Sequence, residues 1–229
     1  MRVARVVHGG AIHTAYPVAD HPQHLRLANG EVVGAANVQW LAPFKPRTIV
    51  ALGLNYADHV KELAGELTVT NQDEPLVFLK GPNSVVGHRG YTPKPADVAH
   101  MHYECELAVV IGRTAQRVPA EQALAHVLGY TICNDYAFRE YLDTWYRPNL
   151  RVKNRDQATA LGPWLVPASE IPDPQNLSLR TLVNGQLVQQ GHTSHMIHSV
   201  ANLIAYLSGF MTLQAGDVIL TGTPDGVTP

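Results

Sequence analysis

One run constrains this chain more than any other: His102-Tyr-Glu-Cys-Glu-Leu-Ala-Val-Val-Ile111, an apolar stretch with two glutamates set into its first half. A strand turns successive side chains to opposite sides, so Glu104 and Glu106 share one face while Cys105 and Leu107 enter the opposite layer. Adjacent like charges on one strand face repel. A second apolar run closes on Asn134-Asp135 a short helix later and brings a third carboxylate. Glu104, Glu106 and Asp135 therefore outline a metal site, and oxygen ligands suit a hard divalent cation, Mg²⁺ or Mn²⁺. The alternative is a solvent-exposed strand edge that happens to carry two acids.

Composition removes several classes of function. Hydrophobic residues make up 45% and charged residues 16% of the 229 positions, with a formal net charge of -2. That balance suits one substantial core and is too apolar for disorder. With no basic stripe, neither nucleic acid nor an anionic membrane is an expected partner. No apolar stretch approaches the roughly 20 residues of a membrane span, and the opening Met-Arg-Val-Ala-Arg-Val-Val-His-Gly-Gly lacks the apolar segment of a signal peptide. A cytoplasmic protein is expected. Cys105 and Cys133 have no metal or disulfide-framework spacing and read as buried reduced thiols.

The chain divides near residue 45. Residues 1–45 read as short strands with turns at Gly9-Gly10 and Asn29-Gly30, ending at Pro43 and Pro46, and form a small β-rich segment. Residues 46–229 form the main body. Thr48–Leu52 predicts a strand, followed by a turn and a polar helix over Ala57–Leu63; Leu76–Leu79 predicts another strand. Pro119 opens a predicted helix with Ala123, Leu124, Val127 and Leu128 on one face and Gly129 at its end, before a strand over Tyr130–Cys133. Asn184-Gly185 between two apolar runs predicts a hairpin. Thr193 can cap a helix striped by Met196, Ile197, Val200, Leu203, Ile204 and Leu207 and stopped by Gly209, and Asp217–Leu220 predicts the last strand. Many short strands with few helices give a mainly β, α+β fold with helices outside.

Other clusters could carry chemistry. His59 and Glu62 stand three apart on one helix face, where a histidine beside a carboxylate can serve as a base, or where both can simply be solvated. Lys153, in Arg151-Val-Lys-Asn-Arg-Asp156, reads first as part of an exposed charged loop and second as a binder of substrate carboxylates. The 12 histidines invite zinc: His100 and His102 share strand parity with the two glutamates, while His192, His195 and His198 fall along an expected helix edge. Gly222-Thr-Pro-Asp-Gly226 can offer the Thr223 hydroxyl to an anion or be a plain turn. Phosphate-loop, dinucleotide-loop and nucleophile-elbow motifs are absent from the sequence.

Taken together, the motifs resemble the fumarylacetoacetate hydrolase family. The matching segments are Leu52-Gly-Leu-Asn-Tyr-Ala-Asp-His59, Pro75-Leu-Val-Phe-Leu-Lys80, Tyr103-Glu-Cys-Glu106, Gly129-Tyr-Thr-Ile-Cys-Asn-Asp135, the Lys153 segment and Gly216-Asp-Val-Ile-Leu-Thr-Gly-Thr-Pro224. Within the family, the segments around Glu104, Lys153 and Asn184 look most like members that act in 4-hydroxyphenylacetate degradation. The resemblance implies a distorted β-roll or barrel core with peripheral helices, a metal at its mouth and a homodimer. It implies Glu104, Glu106 and Asp135 as ligands of Mg²⁺ or Mn²⁺, His59 and Glu62 as a catalytic dyad on a lid, and Lys153 as a catalytic lysine beside the metal. Thr223, Arg139 and Lys80 are implied as substrate-binding residues. The implied activity is decarboxylation of 5-oxopent-3-ene-1,2,5-tricarboxylate to 2-hydroxyhepta-2,4-diene-1,7-dioate, or isomerisation of that product, so the partner is a 2-oxo or 2-hydroxy dicarboxylate or tricarboxylate. Hydrolysis of an acylpyruvate or related β-diketone, and metal-dependent ligand binding without turnover, are the alternatives. Because family members continue past the Gly-Thr-Pro turn, the end at Pro229 reads as a truncation or as an edge covered by a partner chain.

Overall fold

The computed structural model describes residues 1–62, 74–141 and 149–227. Strands β1 (Ala4–His8), β2 (Ala11–Pro17), β3 (His24–Leu27), β4 (Val32–Gly34) and β5 (Gln39–Leu41) build an antiparallel sheet in the order β4-β3-β2-β1-β5. Its first hairpin turns on Gly9 and Gly10, both at positive φ (55° and 78°), the backbone that a two-residue turn matching strand twist demands. Val6, Leu25, Leu27 and Trp40 fill the space beside this sheet, and Trp164 of the main body packs edge-on against Trp40 with ring centres 5.7 Å apart.

The remaining elements run in chain order as β6 (Ile49–Gly53), α1 (Ala57–Glu62), β7 (Leu76–Lys80), β8 (Val85–Val86), β9 (Cys105–Ile111), α2 (Ala120–Ala123), β10 (Val127–Asp135), α3 (Leu150–Lys153), β11 (Thr159–Leu161), β12 (Val166–Pro167), β13 (Ser178–Val183), β14 (Gln186–His192), α4 (Val200–Phe210) and β15 (Val218–Leu220). An eight-stranded sheet follows the order β7-β6-β15-β9-β10-β11-β8, with β12 paired to β10. β15 joins β6 in parallel and β9 antiparallel. The fold is α+β and mainly β, with curled half-barrel sheets, as the sequence led one to expect.

Every residue of β9 is buried, because both of its faces are covered. Leu107, Val109 and Ile111 pack with Val200, Leu203, Ile204 and Leu207 of α4, while Ala108 on the other face packs with Cys133, Leu161 and Leu220. A strand covered on both sides carries no polar alternation, hence the unbroken apolar run after Glu106. The exposed-edge alternative for the two glutamates is thereby overturned. Both cysteines are free and buried as expected. Among the described residues, no helix is long and apolar enough to cross a membrane.

Two helices differ from expectation. The one after Pro119 is a single turn, and Val127–Gly129 already belong to β10, paired with Ile111 and Val110 of β9. Leu124 and Leu128 are exposed rather than part of an apolar helix face. Gly129 is not a helix stop: it lies so close to the Val166 carbonyl that a side chain would collide with it. The later helix starts at Val200, not after Thr193, and its cap is Ser199, whose hydroxyl accepts from the Asn202 N–H at 3.2 Å. Thr193 instead caps the hairpin region by accepting from the Leu177 N–H at 2.9 Å. The buried stripe of Val200, Leu203, Ile204 and Leu207 is as predicted, and the hairpin at Asn184-Gly185 forms with both residues at positive φ.

Candidate metal centre

Pairing of β9 with β10 assembles the carboxylates. Cys133 lies opposite Glu106 and Asn134 opposite Cys105, and the Asp135 N–H donates to the Glu104 carbonyl at 2.9 Å. Opposed residues of an antiparallel pair point to one side. Glu104, Glu106 and Asp135 consequently converge, with ligand oxygens all within 4.8 Å of one another and all three residues buried. Asn134 secures the strand entry by accepting the Glu104 N–H at 2.9 Å.

Three cationic side chains surround the acids. The Lys153 ammonium donates to Glu104 Oε2 at 2.5 Å and to Asp135 Oδ2 at 2.9 Å. Lys80, at the end of β7, donates to Asp135 Oδ1 and, at 2.5 Å, to the Lys153 carbonyl. Arg139 stands 3.7 Å from Glu104 Oε1. Glu106 differs: Oε2 accepts the Gly222 N–H at 2.8 Å, and Oε1 is buried with no hydrogen-bond partner among the described residues. Burial, followed by the neighbouring Asp135 charge, pushes the Glu106 carboxyl well above the usual range. Burial acts in the same direction on Asp135, but Lys153 and Lys80 outweigh it and hold that carboxyl low. Burial pulls the Lys153 ammonium down, and Asp135, Glu104 and Glu106 more than reverse this, so it stays charged.

These residues fit a hard cation. The converging donors are all carboxylate oxygens, and a buried oxygen without a partner lies among them, a costly arrangement unless something positive satisfies it. The zinc alternative loses its histidines. His100 is exposed and pairs with Glu140 at 3.7 Å, and His102 forms a bridge with Ala137 outside the carboxylate cluster. His192, His195 and His198 do not share a helix edge, since they precede α4.

Other expected site residues are distributed unevenly. Lys153 is buried at the end of α3, which corrects the exposed-loop reading. Lys80 is enclosed, with its side chain 0% exposed and its ammonium engaged by Asp135. His59 is buried on α1, while the Glu62 side chain lies outside the described residues. Thr223 is buried in the loop after β15 and accepts the Gln189 amide at 2.7 Å.

Sequence reasoning missed two residues that hold that loop. Asn55 donates to the Thr221 carbonyl at 2.8 Å and the His198 carbonyl at 3.0 Å, and accepts the His198 N–H at 2.8 Å. Its place in the turn after β6 was the available signal. Gln189, one polar residue in a hairpin strand, offered none.

The family model described as fumarylacetoacetate (FAA) hydrolase C-terminal matches residues 48–229. The chain belongs to the fumarylacetoacetate hydrolase family. Among its curated relatives, the 4-hydroxyphenylacetate degradation bifunctional isomerase/decarboxylase of Salmonella dublin is 55% identical over 181 residues, covering 79% of this chain and 41% of that protein. The chain therefore spans about two fifths of that relative's length. The oxaloacetate tautomerase YisK of Bacillus subtilis is 42% identical over 186 residues, covering 81% of this chain and 61% of that one. The crystal structure of 5-carboxymethyl-2-hydroxymuconate delta-isomerase from Mycobacterium smegmatis superimposes with a TM-score of 0.84 at 36% identity, over 100% of this chain and 90% of that one.

Proposed function

We propose that this chain is the catalytic part of a Mg²⁺- or Mn²⁺-dependent decarboxylase and isomerase of 2-oxo or 2-hydroxy dicarboxylates and tricarboxylates, working as a homodimer. The substrate proposed is 5-oxopent-3-ene-1,2,5-tricarboxylate and the product 2-hydroxyhepta-2,4-diene-1,7-dioate, in 4-hydroxyphenylacetate breakdown. The observation that carries the reading is the buried convergence of Glu104, Glu106 and Asp135 with a Glu106 oxygen that has no partner among the described residues. The Salmonella dublin relative's name supports the substrate class.

Those three carboxylates would hold the cation. When bound, it supplies the positive charge that stabilises an enolate of a 2-oxo acid. In the tricarboxylate, the carbon bearing the leaving carboxylate is joined through a C=C bond to the ketone, so loss of CO₂ sends the electron pair of the breaking C–C bond through that C=C onto the ketone oxygen. Lys153, held protonated by its acidic neighbours, adds positive charge to the same region. Arg139, only partly enclosed, and the Thr223 hydroxyl are suited to carboxylate oxygens. His59, with Glu62, is assigned proton transfer to a remote carbon of the dienolate, giving the 2-oxo isomer.

A second reading is keto–enol interconversion of oxaloacetate, favoured by the name of the Bacillus subtilis relative. It uses the same enolate and the same proton carrier without loss of CO₂. An ultraviolet assay of metal-stripped protein separates the readings. Supplied with Mg²⁺ and the tricarboxylate, the dienol, oxaloacetate or acetylpyruvate, the protein is expected to consume the tricarboxylate and release CO₂, and Glu106→Ala is expected not to. Turnover of oxaloacetate alone would establish the tautomerase, turnover of acetylpyruvate alone a hydrolase, and turnover of none would overturn the enzyme reading.

A further inference from the structure

A glutamine in the hairpin beside the site has no part in the chemistry above. Gln189 on β14 is 3% exposed, and its amide joins three separate segments. Nε2 donates to Thr223 Oγ1 at 2.7 Å and to the Pro224 carbonyl at 3.0 Å. Oε1 accepts from the Cys105 N–H at 3.1 Å and the Thr181 hydroxyl at 2.9 Å. Cys105 is the residue between Glu104 and Glu106, and Thr223 follows Gly222, which donates to Glu106.

Partner chemistry determines the direction of each bond. A backbone N–H can only donate and a backbone carbonyl can only accept, so Cys105 and Pro224 together allow one orientation of the amide. Thr223 Oγ1 therefore faces an N–H and must accept from it. Its own proton has to go elsewhere, and no bond between described residues takes it. A free threonine hydroxyl rotates and can turn a lone pair or a proton toward an anion. Here the Gln189 N–H occupies one of the two lone pairs, so the proton cannot point at Gln189 and stays available to a ligand.

We propose that Gln189 is a positioning residue that commits the Thr223 hydroxyl to donate to a carboxylate oxygen of a bound 2-oxo acid. The inference rests on the function proposed above and adds the residue that aligns one of its donors. Preset donors need no reorganisation when negative charge arrives.

Gln189→Glu tests it, because it retains an acceptor for Cys105 and Thr181 while replacing the NH₂ with an oxygen. Thr223 then turns its proton onto the introduced carboxylate. With Mg²⁺ present and pyruvate as the probe, calorimetry should show Gln189→Glu and Thr223→Val each weakening binding by about tenfold, the scale of one hydrogen bond to a charged group. The double variant should bind no more weakly than Thr223→Val alone. Lower pH, which protonates the introduced carboxylate and restores a donor, should return affinity to the single variant but not to the double. Should Gln189→Glu fail to fold, Gln189→Met enters the same cycle with a smaller loss and the same non-additivity, since it frees the hydroxyl instead of reversing it. Additive losses would make Gln189 a structural tie only and overturn the inference. A wild type that does not bind pyruvate overturns the 2-oxo acid reading of the whole site, a result distinct from an additive cycle in a protein that does bind it.

Discussion

The two faces of β9 share one backbone and are held by different physics. Toward α4, Leu107, Val109 and Ile111 meet Val200, Leu203, Ile204 and Leu207, an apolar layer in which each side chain contributes its own area and volume. On the opposite face, Glu106 sits with Glu104 and Asp135 against Lys153 and Lys80, where the stability of each charge depends on the others remaining. Loss of a methyl group on the first face leaves a cavity. Loss of one ammonium on the second leaves a buried charge unmatched, a larger penalty for a comparable change in volume.

The contrast can be broken most directly at Lys153. Lys153→Met removes the partner of Glu104 and of Asp135 and should lower stability by about 3–5 kcal/mol in urea denaturation. A midpoint equal to that of the wild type would mean the acids relax without their counter-ion. On the other face, Leu207→Ala should lose about 3 kcal/mol and leave Mg²⁺ affinity unchanged; weakened Mg²⁺ binding would show that the faces are coupled through β9. Mg²⁺ at a hundred times its Kd should stabilise the wild type by about 2.7 kcal/mol and Glu106→Ala not at all. An unresponsive wild type would remove the cation from the proposed function.

The pH dependence sharpens the same comparison within the acidic cluster. Glu106 is raised above the ordinary glutamate value of 4.5, so its contribution is complete below that pH and is lost as pH rises through the elevated value. Asp135 is depressed below 3.8, so its contribution is present above that pH and lost as pH falls through the depressed value. In metal-stripped protein, Glu106→Gln should flatten the decline in stability above pH 4.5, by at most about 1.4 kcal/mol per pH unit, and leave the acid limb intact. A decline that persists in Glu106→Gln would assign it to another group. The smallest effect belongs to the α4 cap: Ser199→Ala should cost about 1 kcal/mol in thermal unfolding, with no change in Mg²⁺ binding.

What could be read in advance follows from how local each signal is. The shared direction of Glu104 and Glu106 is a property of strand geometry alone, and Asp135 closes an apolar run of its own. Lys153 reads in sequence as part of an exposed loop because its surroundings are set by Glu104, 49 positions away, and by Asp135, 18 positions away. The stretch from Leu124 to Leu128 fits helical spacing as well as a strand entry, and only pairing with Val110 and Ile111 decides between them. Gln189 was invisible because its four partners come from residues 105, 181, 223 and 224, which no spacing rule connects.

The position of β15 has a consequence for assembly order. It lies between β6 and β9, which do not pair with each other in this sheet, and it joins the two through residues 218–220. A nascent chain that has not yet reached those residues cannot join β6 and β9 across β15. The loop that delivers Gly222 to Glu106 follows directly. During synthesis, the last of the three acids, Asp135, is thus made more than eighty residues before Gly222, whose backbone N–H steadies Glu106.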